Sequence, residues 1–193
     1  GLTGAGAVIN TAKVMPGTRT AVVGLGGVGL ASVLAAVAAG AEQIVAVDMQ
    51  QDKLDFAKTL GATDTFLASD PDVVAKIKEA TSGGVDVAAE LAGSVKALEL
   101  TYSIARRGGT AVTAGLPHPS AMLSFPAISL VAEEKTLRGS YIGSCVPVRD
   151  LPRYIGRYKR CRLPVDTLVT SHLHTDPHHA RTYRLATRPT LRP

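Results

Sequence analysis

The stretch Thr20 to Asp48 constrains this chain more than any other. An apolar run enters Gly24-Leu25-Gly26-Gly27-Val28-Gly29, an Ala-rich segment follows, and a second apolar run, Gln43-Ile44-Val45-Ala46-Val47, ends in Asp48. Strand, glycine turn, helix and strand is the plan of a mononucleotide-binding unit. Each glycine has a separate task in it: Gly24 permits the tight turn, Gly26 lets backbone approach a pyrophosphate, and Gly29 lets the helix pack close to the strand. The helix then points its free N–H groups at the anion. Asp48 stands at the end of the second strand, about 20 residues beyond the turn, where a carboxylate receives two ribose hydroxyls.

The same alternation continues along the chain. Helical spacing over Thr3 to Met15 stops before Pro16-Gly17. Strands are expected at Arg19 to Leu25, Gln43 to Asp48, Thr63 to Leu67, Val85 to Leu91, Gly108 to Ala114 and Thr136 to Ser140. Helices are expected between them at Gly26 to Ala39, Asp52 to Leu60, from Ser69-Asp70-Pro71 to Gly83-Gly84, Ser94 to Ala105 and Pro126 to Glu133. Six apolar strands separated by helices predict an α/β fold: an open, parallel, doubly wound sheet of order 3-2-1-4-5-6, with a ligand over the crevice between strands one and four. Beyond it, Pro147 to Arg160 reads as a helix with Leu151, Tyr154, Ile155 and Tyr158 on one face. Leu168-Val169-Thr170 reads as one more strand, and 175–193 lack the periodicity and apolar content to fold, so disorder is expected there.

The formal net charge of +5 invites a nucleic-acid partner until it is divided along the chain. Residues 1–148 carry −2 and residues 149–193 carry +7, so the body of the fold offers no basic footprint. The longest apolar run, Val28 to Ala39, is too short to span a bilayer, and neither a membrane nor a nucleic-acid partner is expected. Nothing at Gly1 reads as a signal peptide, and Cys145 and Cys161 read as free thiols in a reducing cytoplasm. His172, His174, Asp176, His178 and His179 resemble the HxHxDH motif of metallo-β-lactamase-like hydrolases, but Pro177 breaks the motif and no further ligand set follows. Accidental clustering is the better reading, and no metal site is assigned. His118, between two prolines, reads as a solvated loop residue. Glu90, at the end of the fourth strand, reads as a structural or cofactor-proximal carboxylate.

Taken together, Ala12-Lys13-Val14-Met15-Pro16-Gly17, the glycine turn, Val47-Asp48 with Asp52-Lys53, Ala57 to Thr63, Gly83-Gly84-Val85-Asp86, Gly115-Leu116-Pro117 and Leu137 to Gly143 resemble the NAD-binding Rossmann domain of the medium-chain, zinc-dependent alcohol dehydrogenases. The resemblance runs from Thr3 to about His172. It implies residues 1–16 as the end of a linking helix, 17–145 as the NAD-binding domain, and 146–174 as a helix and strand returning toward a catalytic domain. It implies backbone contacts from Gly26, Gly27 and Val28 to the pyrophosphate, and Asp48 and Lys53 on the adenosine ribose. Ala92 is implied at the adenosine side, and Thr3, Ala114, Gly115, Leu116 and Ile142 around nicotinamide. Asp48 also argues for NAD over NADP, because a carboxylate repels a 2′-phosphate.

The family's catalytic zinc is held by two cysteines and a histidine of a separate domain. No zinc ligand and no catalytic residue is assigned within this chain, so the sequence is expected to be a fragment, inactive alone, whose end after His174 has slipped out of frame. The implied activity is hydride transfer between an alcohol or aldehyde and NAD, with pairing of two copies through a sheet edge around Ala121 to Phe125. Two alternatives stay open: a non-catalytic dinucleotide-binding module, and a zinc-independent reductase of the same superfamily, which Asp48 disfavours.

Overall fold

The computed structural model describes residues 1–168. Its centre is a parallel sheet of β1 (Arg19–Val23), β2 (Gln43–Asp48), β3 (Asp64–Leu67), β4 (Val85–Glu90), β5 (Ala105–Thr113) and β6 (Thr136–Gly139). The strands lie in the order β3-β2-β1-β4-β5-β6, with Thr20 beside Ile44 on one side and Val87 on the other. This is the doubly wound order expected from the alternation.

The pleat divides the core. Val22, Ile44, Ala46 and Val87 point to one face and pack with α2 (Gly27–Ala39) and with Leu54 and Ala57 of α3 (Gln51–Thr59). Ala21, Val23, Val45, Val47 and Ala88 point to the other and pack with Val73 and Ile77 of α4 (Val73–Ala80) and Ile104 of α5 (Val95–Ile104). Continuous apolar runs are therefore required at β1, β2 and β4, because both faces are covered. α2 ends at Gly40, whose φ of 81° is the left-handed conformation a helix stop needs.

Several boundaries differ from the expected ones for local reasons. α4 starts at Val73 and not at Ser69, because the Asp70 carboxylate accepts the Asp72 N–H at 2.9 Å and holds that segment as a turn. β5 starts at Ala105, before Gly108, with an irregular register between the Val85–Ala105 and Val87–Thr110 pairs. The sixth helix, α6, is only Ile128–Ala132. Ala121 to Phe125, expected at a pairing edge, forms no strand within the chain; the sheet ends at β3 on one side and β6 on the other, and the Phe125 ring centroid lies 4.6 Å from that of Tyr102.

The N-terminal helix α1 (Leu2–Gly6) continues as a π-helical turn over Ala7–Thr11 and ends there, four residues before the expected Met15, with Lys13 turned to a φ of +54°. The last helix, α7 (Pro147–Lys159), folds back on the same face of the sheet through Tyr154, and Leu163 beyond it is also buried there. Of its expected apolar face only Tyr154 is buried; Leu151, Ile155 and Tyr158 are 41–51% exposed. The expected strand at Leu168 begins on a residue that closes the turn Val165–Leu168, and its remaining residues lie outside the described ones. The histidine cluster and the expected disorder over 175–193 also fall outside them.

Candidate functional site

The glycines after β1 divide their work as the motif requires. Gly24 has a φ of +93°, and a Cβ there would stand 2.7 Å from the Ala92 nitrogen. A Cβ on Gly29 would come within 1.8 Å of the Gly24 carbonyl oxygen, so α2 sits against the loop with no room for a side chain. Gly26 and Gly27 are the opposite case: no heavy atom lies within 4 Å of a Cβ built on either, and both are exposed with Val28 at the start of α2. Open space beside the unpaired N–H groups of a first helical turn is a cradle for an anion.

Asp48 ties this loop to the next strand. One carboxylate oxygen accepts the Leu25 N–H at 2.7 Å, the other accepts the Gln50 N–H at 3.1 Å, and the Lys53 ammonium lies 3.8 Å away. Its side chain is one-tenth exposed, so it is fixed in place while still facing the crevice.

Two clefts open above the carboxyl ends of the strands. One, of about 690 Å³, is lined by Gly24, Asp48 and Ala92 with Met49 and Leu100 as apolar walls. The other, of about 460 Å³, is lined by Thr3, Ala114, Gly115, Leu116 and Ile142. The residues expected at the adenosine and nicotinamide ends thus fall into separate clefts. Gly26, Gly27, Val28, Gly29 and Lys53 line neither.

The second cleft depends on a close crossing of α1. A Cβ on Gly4 would stand 2.2 Å from the Val28 carbonyl oxygen, and a Cβ on Gly6 would stand 2.3 Å from that of Gly143. The Ser32 hydroxyl donates to the Gly4 carbonyl at 3.0 Å. These contacts set Thr3 beside Ile142, which is held at a φ of +51° in a run with Gly143 and Ser144. A β-branched residue in that region is a strained conformation that its surroundings must enforce.

Part of that enforcement comes from polar side chains of the π turn. The Thr11 hydroxyl lies 2.6 Å from that of Ser140 and donates to that of Ser144 at 2.9 Å. The Asn10 amide donates to the Gly143 carbonyl at 3.3 Å and to Asp150 at 3.2 Å. Asp150 is fully buried and also accepts the Val146 N–H at 2.9 Å and two Arg149 N–H groups at 2.7 and 2.8 Å. The Arg149 hydrogen bonds hold its carboxyl far below the usual carboxylate range against the opposing pull of burial. Burial, reinforced by Asp150, pushes the neighbouring Cys145 thiol up.

Sequence reasoning missed Met49 and Leu100, and it missed Asn10, Asp150 and Ser32 as supports. Asp150 had one signal: it is an acid within a row of helix arginines. His118 is exposed, and among the described residues its ring pairs with Ser120. Among the described residues no cluster of His, Cys, Asp or Glu could hold a metal ion, and no helix is long and apolar enough to cross a membrane.

Comparison with known proteins places this arrangement. Residues 27–160 match the model of a family described as zinc-binding dehydrogenase. Alcohol dehydrogenase 3 of Hordeum vulgare is 37% identical over 171 residues, covering 87% of this chain and 45% of that protein. The solved benzyl alcohol dehydrogenase of Acinetobacter calcoaceticus superposes with a TM-score of 0.83 at 37% identity, over 86% of this chain and 46% of its own. A solved Sinorhizobium meliloti protein bound to NADP gives 0.69 at 29% identity, over 72% and 42%. The chain spans about half the length of the curated relatives it matches.

Proposed function

Because the chain belongs to the zinc-binding dehydrogenase family, we propose that it is the coenzyme-binding half of an NAD-dependent alcohol dehydrogenase, one that holds a dinucleotide across its two clefts. The observation that carries this reading is the coincidence, at the carboxyl ends of β1 and β2, of an open helix N-terminus at Gly26–Val28 with a fixed carboxylate at Asp48. The residues present fit NAD. The first-turn N–H groups of α2 would take the pyrophosphate, Asp48 and Lys53 the adenosine ribose, and Met49, Ala92 and Leu100 the adenine end. Thr3, Ala114, Gly115, Leu116 and Ile142 would enclose nicotinamide, largely through backbone.

NAD, when bound, supplies the carbon that exchanges hydride with an alcohol or aldehyde. The chain's own contribution is to orient that ring and to exclude water from one of its faces. The described residues do not fit the family's zinc, and no step through zinc is assigned to them. Although the Sinorhizobium relative was solved with NADP, Asp48 favours NAD here. A 2′-phosphate placed about 4 Å from its carboxylate would meet a repulsion on the order of 4 kcal/mol at an effective dielectric of 20. Two free thiols support a reducing, cytoplasmic setting. The β6 edge, with Ile128 and Val131 exposed nearby in sequence, supports pairing of two copies.

Isothermal titration of the folded chain with NAD and NADP tests the cofactor reading. Saturable binding of NAD, at least tenfold tighter than NADP, is expected; preference for NADP, or no binding by folded protein, overturns it.

A further inference from the structure

Glu90 is a buried acid to which the coenzyme reading gives no part. It ends β4 at the point where the sheet order reverses, is 1% exposed, and has no Lys, Arg or His partner among the described residues. A carboxylate in that position is costly unless its lone pairs are met by donors. They are met here by backbone and by one hydroxyl. Oε1 accepts the N–H groups of Ala92 at 2.8 Å, Gly93 at 2.6 Å and, more weakly, Ser94 at 3.4 Å; Oε2 accepts the Thr113 hydroxyl at 2.7 Å. Ser94 immediately precedes the first turn of α5, so Oε1 also reaches the N-terminus of that helix.

The two oxygens therefore serve different clefts. Oε1 holds the loop that places Ala92 and Ser94 in the larger cleft, and Oε2 holds Thr113, which lines the smaller one and leads into Ala114, Gly115 and Leu116. Above the carboxylate these loops touch backbone to backbone. A Cβ on Gly115 would stand 2.3 Å from the Gly93 nitrogen and 2.7 Å from Glu90 Oε1, and a Cβ on Gly93, at a φ of +72°, would stand 3.2 Å from Leu116 N. The backbone carbonyl of Glu90 also accepts the Ala114 and Gly115 N–H groups at 3.0 and 3.3 Å. The seam is closest at Gly93 and Gly115, where there is no room for a side chain on Gly115 and a positive φ at Gly93. What locks it is the buried acid below.

We propose that Glu90 is a positioning residue that fixes the spacing between the two clefts, so that a single dinucleotide registers in both. The proposal rests on the coenzyme reading, and it makes a claim that a purely structural role does not. A mononucleotide needs only the first cleft. The nicotinamide half adds affinity only when the second cleft stands where the linkage can reach it, since the gain from joining two ligands vanishes when the sites fall out of register. Loosening the seam should therefore weaken NAD more than AMP.

The test is calorimetric titration of the full chain with NAD and with AMP, on wild type, Glu90→Gln and Thr113→Val, alongside thermal unfolding. Glu90→Gln keeps the shape, removes the charge from the bonds to the Ala92 and Gly93 N–H groups, and reverses the bond to Thr113, whose hydroxyl must then accept. Thr113→Val leaves every backbone contact of Oε1 intact and guards against a Glu90 variant that does not fold. Glu90→Gln is expected to weaken NAD about tenfold and AMP less than about threefold, and Thr113→Val to weaken NAD about fivefold with AMP within about twofold. Equal weakening of both ligands, or a lowered Tm with both affinities unchanged, overturns the assignment of Glu90 and leaves the coenzyme reading standing. If wild type binds neither ligand, both fall.

Discussion

The two clefts stand side by side on the same sheet, yet one is built from residues whose types announce their purpose, and the other from backbone brought together by packing. In the first, a missing Cβ at Gly24, a carboxylate at Asp48 and, in the turn beside it, a missing Cβ at Gly29 are requirements of residue type. In the second, Thr3, Ala114, Leu116 and Ile142 offer main chain that many residues could supply. Their positions come from α1 lying on α2 at Gly4 and from the polar cluster of Asn10, Thr11 and Asp150. A binding surface made of side-chain chemistry is robust to distant change, whereas one made of backbone inherits every weakness of its supports.

The sharpest way to break this contrast is to crowd each glycine contact in turn. Gly29→Ala sets a methyl group 1.8 Å from the Gly24 carbonyl oxygen, and backbone cannot yield as a side chain would. Gly4→Ala sets one 2.2 Å from the Val28 carbonyl oxygen. Urea unfolding should show a loss of about 3 kcal/mol or more for Gly29→Ala, at the upper end of overpacking costs, and about 1–3 kcal/mol for Gly4→Ala. The folded Gly4→Ala protein should lose more affinity for NAD than for AMP, since the clash with Val28 disturbs the start of α2 for both ligands while the shift of α1 also displaces Thr3 in the second cleft. Equal losses of the two ligands would erase the distinction.

A second substitution sharpens the role of side-chain chemistry in the first cleft. Asp48→Asn keeps the shape and removes the charge, so the preference for NAD over NADP, measured by titration, should fall by about tenfold or more. An unchanged preference would show that the carboxylate does not set it.

The smallest expected effect is a pH dependence rooted in the supports of the second cleft. Asp150 has a folded-state pKa below its ordinary 3.8, so it binds its proton more weakly folded than unfolded. Its stabilisation is complete above that ordinary value and is lost progressively as pH falls below it. Urea midpoints of wild type should therefore drop more steeply between pH 5 and 3 than those of Asp150→Asn. Parallel slopes would mean that Asp150 is not held as an anion by Arg149 and Asn10.

The contrast also explains what could be read from the sequence. β1, β2 and β4 are covered on both faces, so their apolar runs and the sheet order were legible, as was the turn that joins β1 to α2. Boundaries slipped where a single side chain decides them, as at Asp70, where one hydrogen bond replaces four residues of expected helix by a turn. The apolar face expected on α7 was periodic but largely unburied, because periodicity records which residues share a face and not what covers it. Asp150 and Asn10 were invisible for a related reason. They lie 140 residues apart, and no local pattern links a helix acid to an amide at that distance.

The central claim is that one dinucleotide occupies both clefts. Amide chemical-shift mapping of the 20.0 kDa chain tests it directly, by titrating NAD and AMP in parallel. NAD should shift the amides of Gly26 to Gly29 and Ala92 together with those of Gly115, Leu116 and Ile142, while AMP should shift the first group and leave the second in place. Shifts from NAD confined to one group, or scattered away from both, would contradict the account.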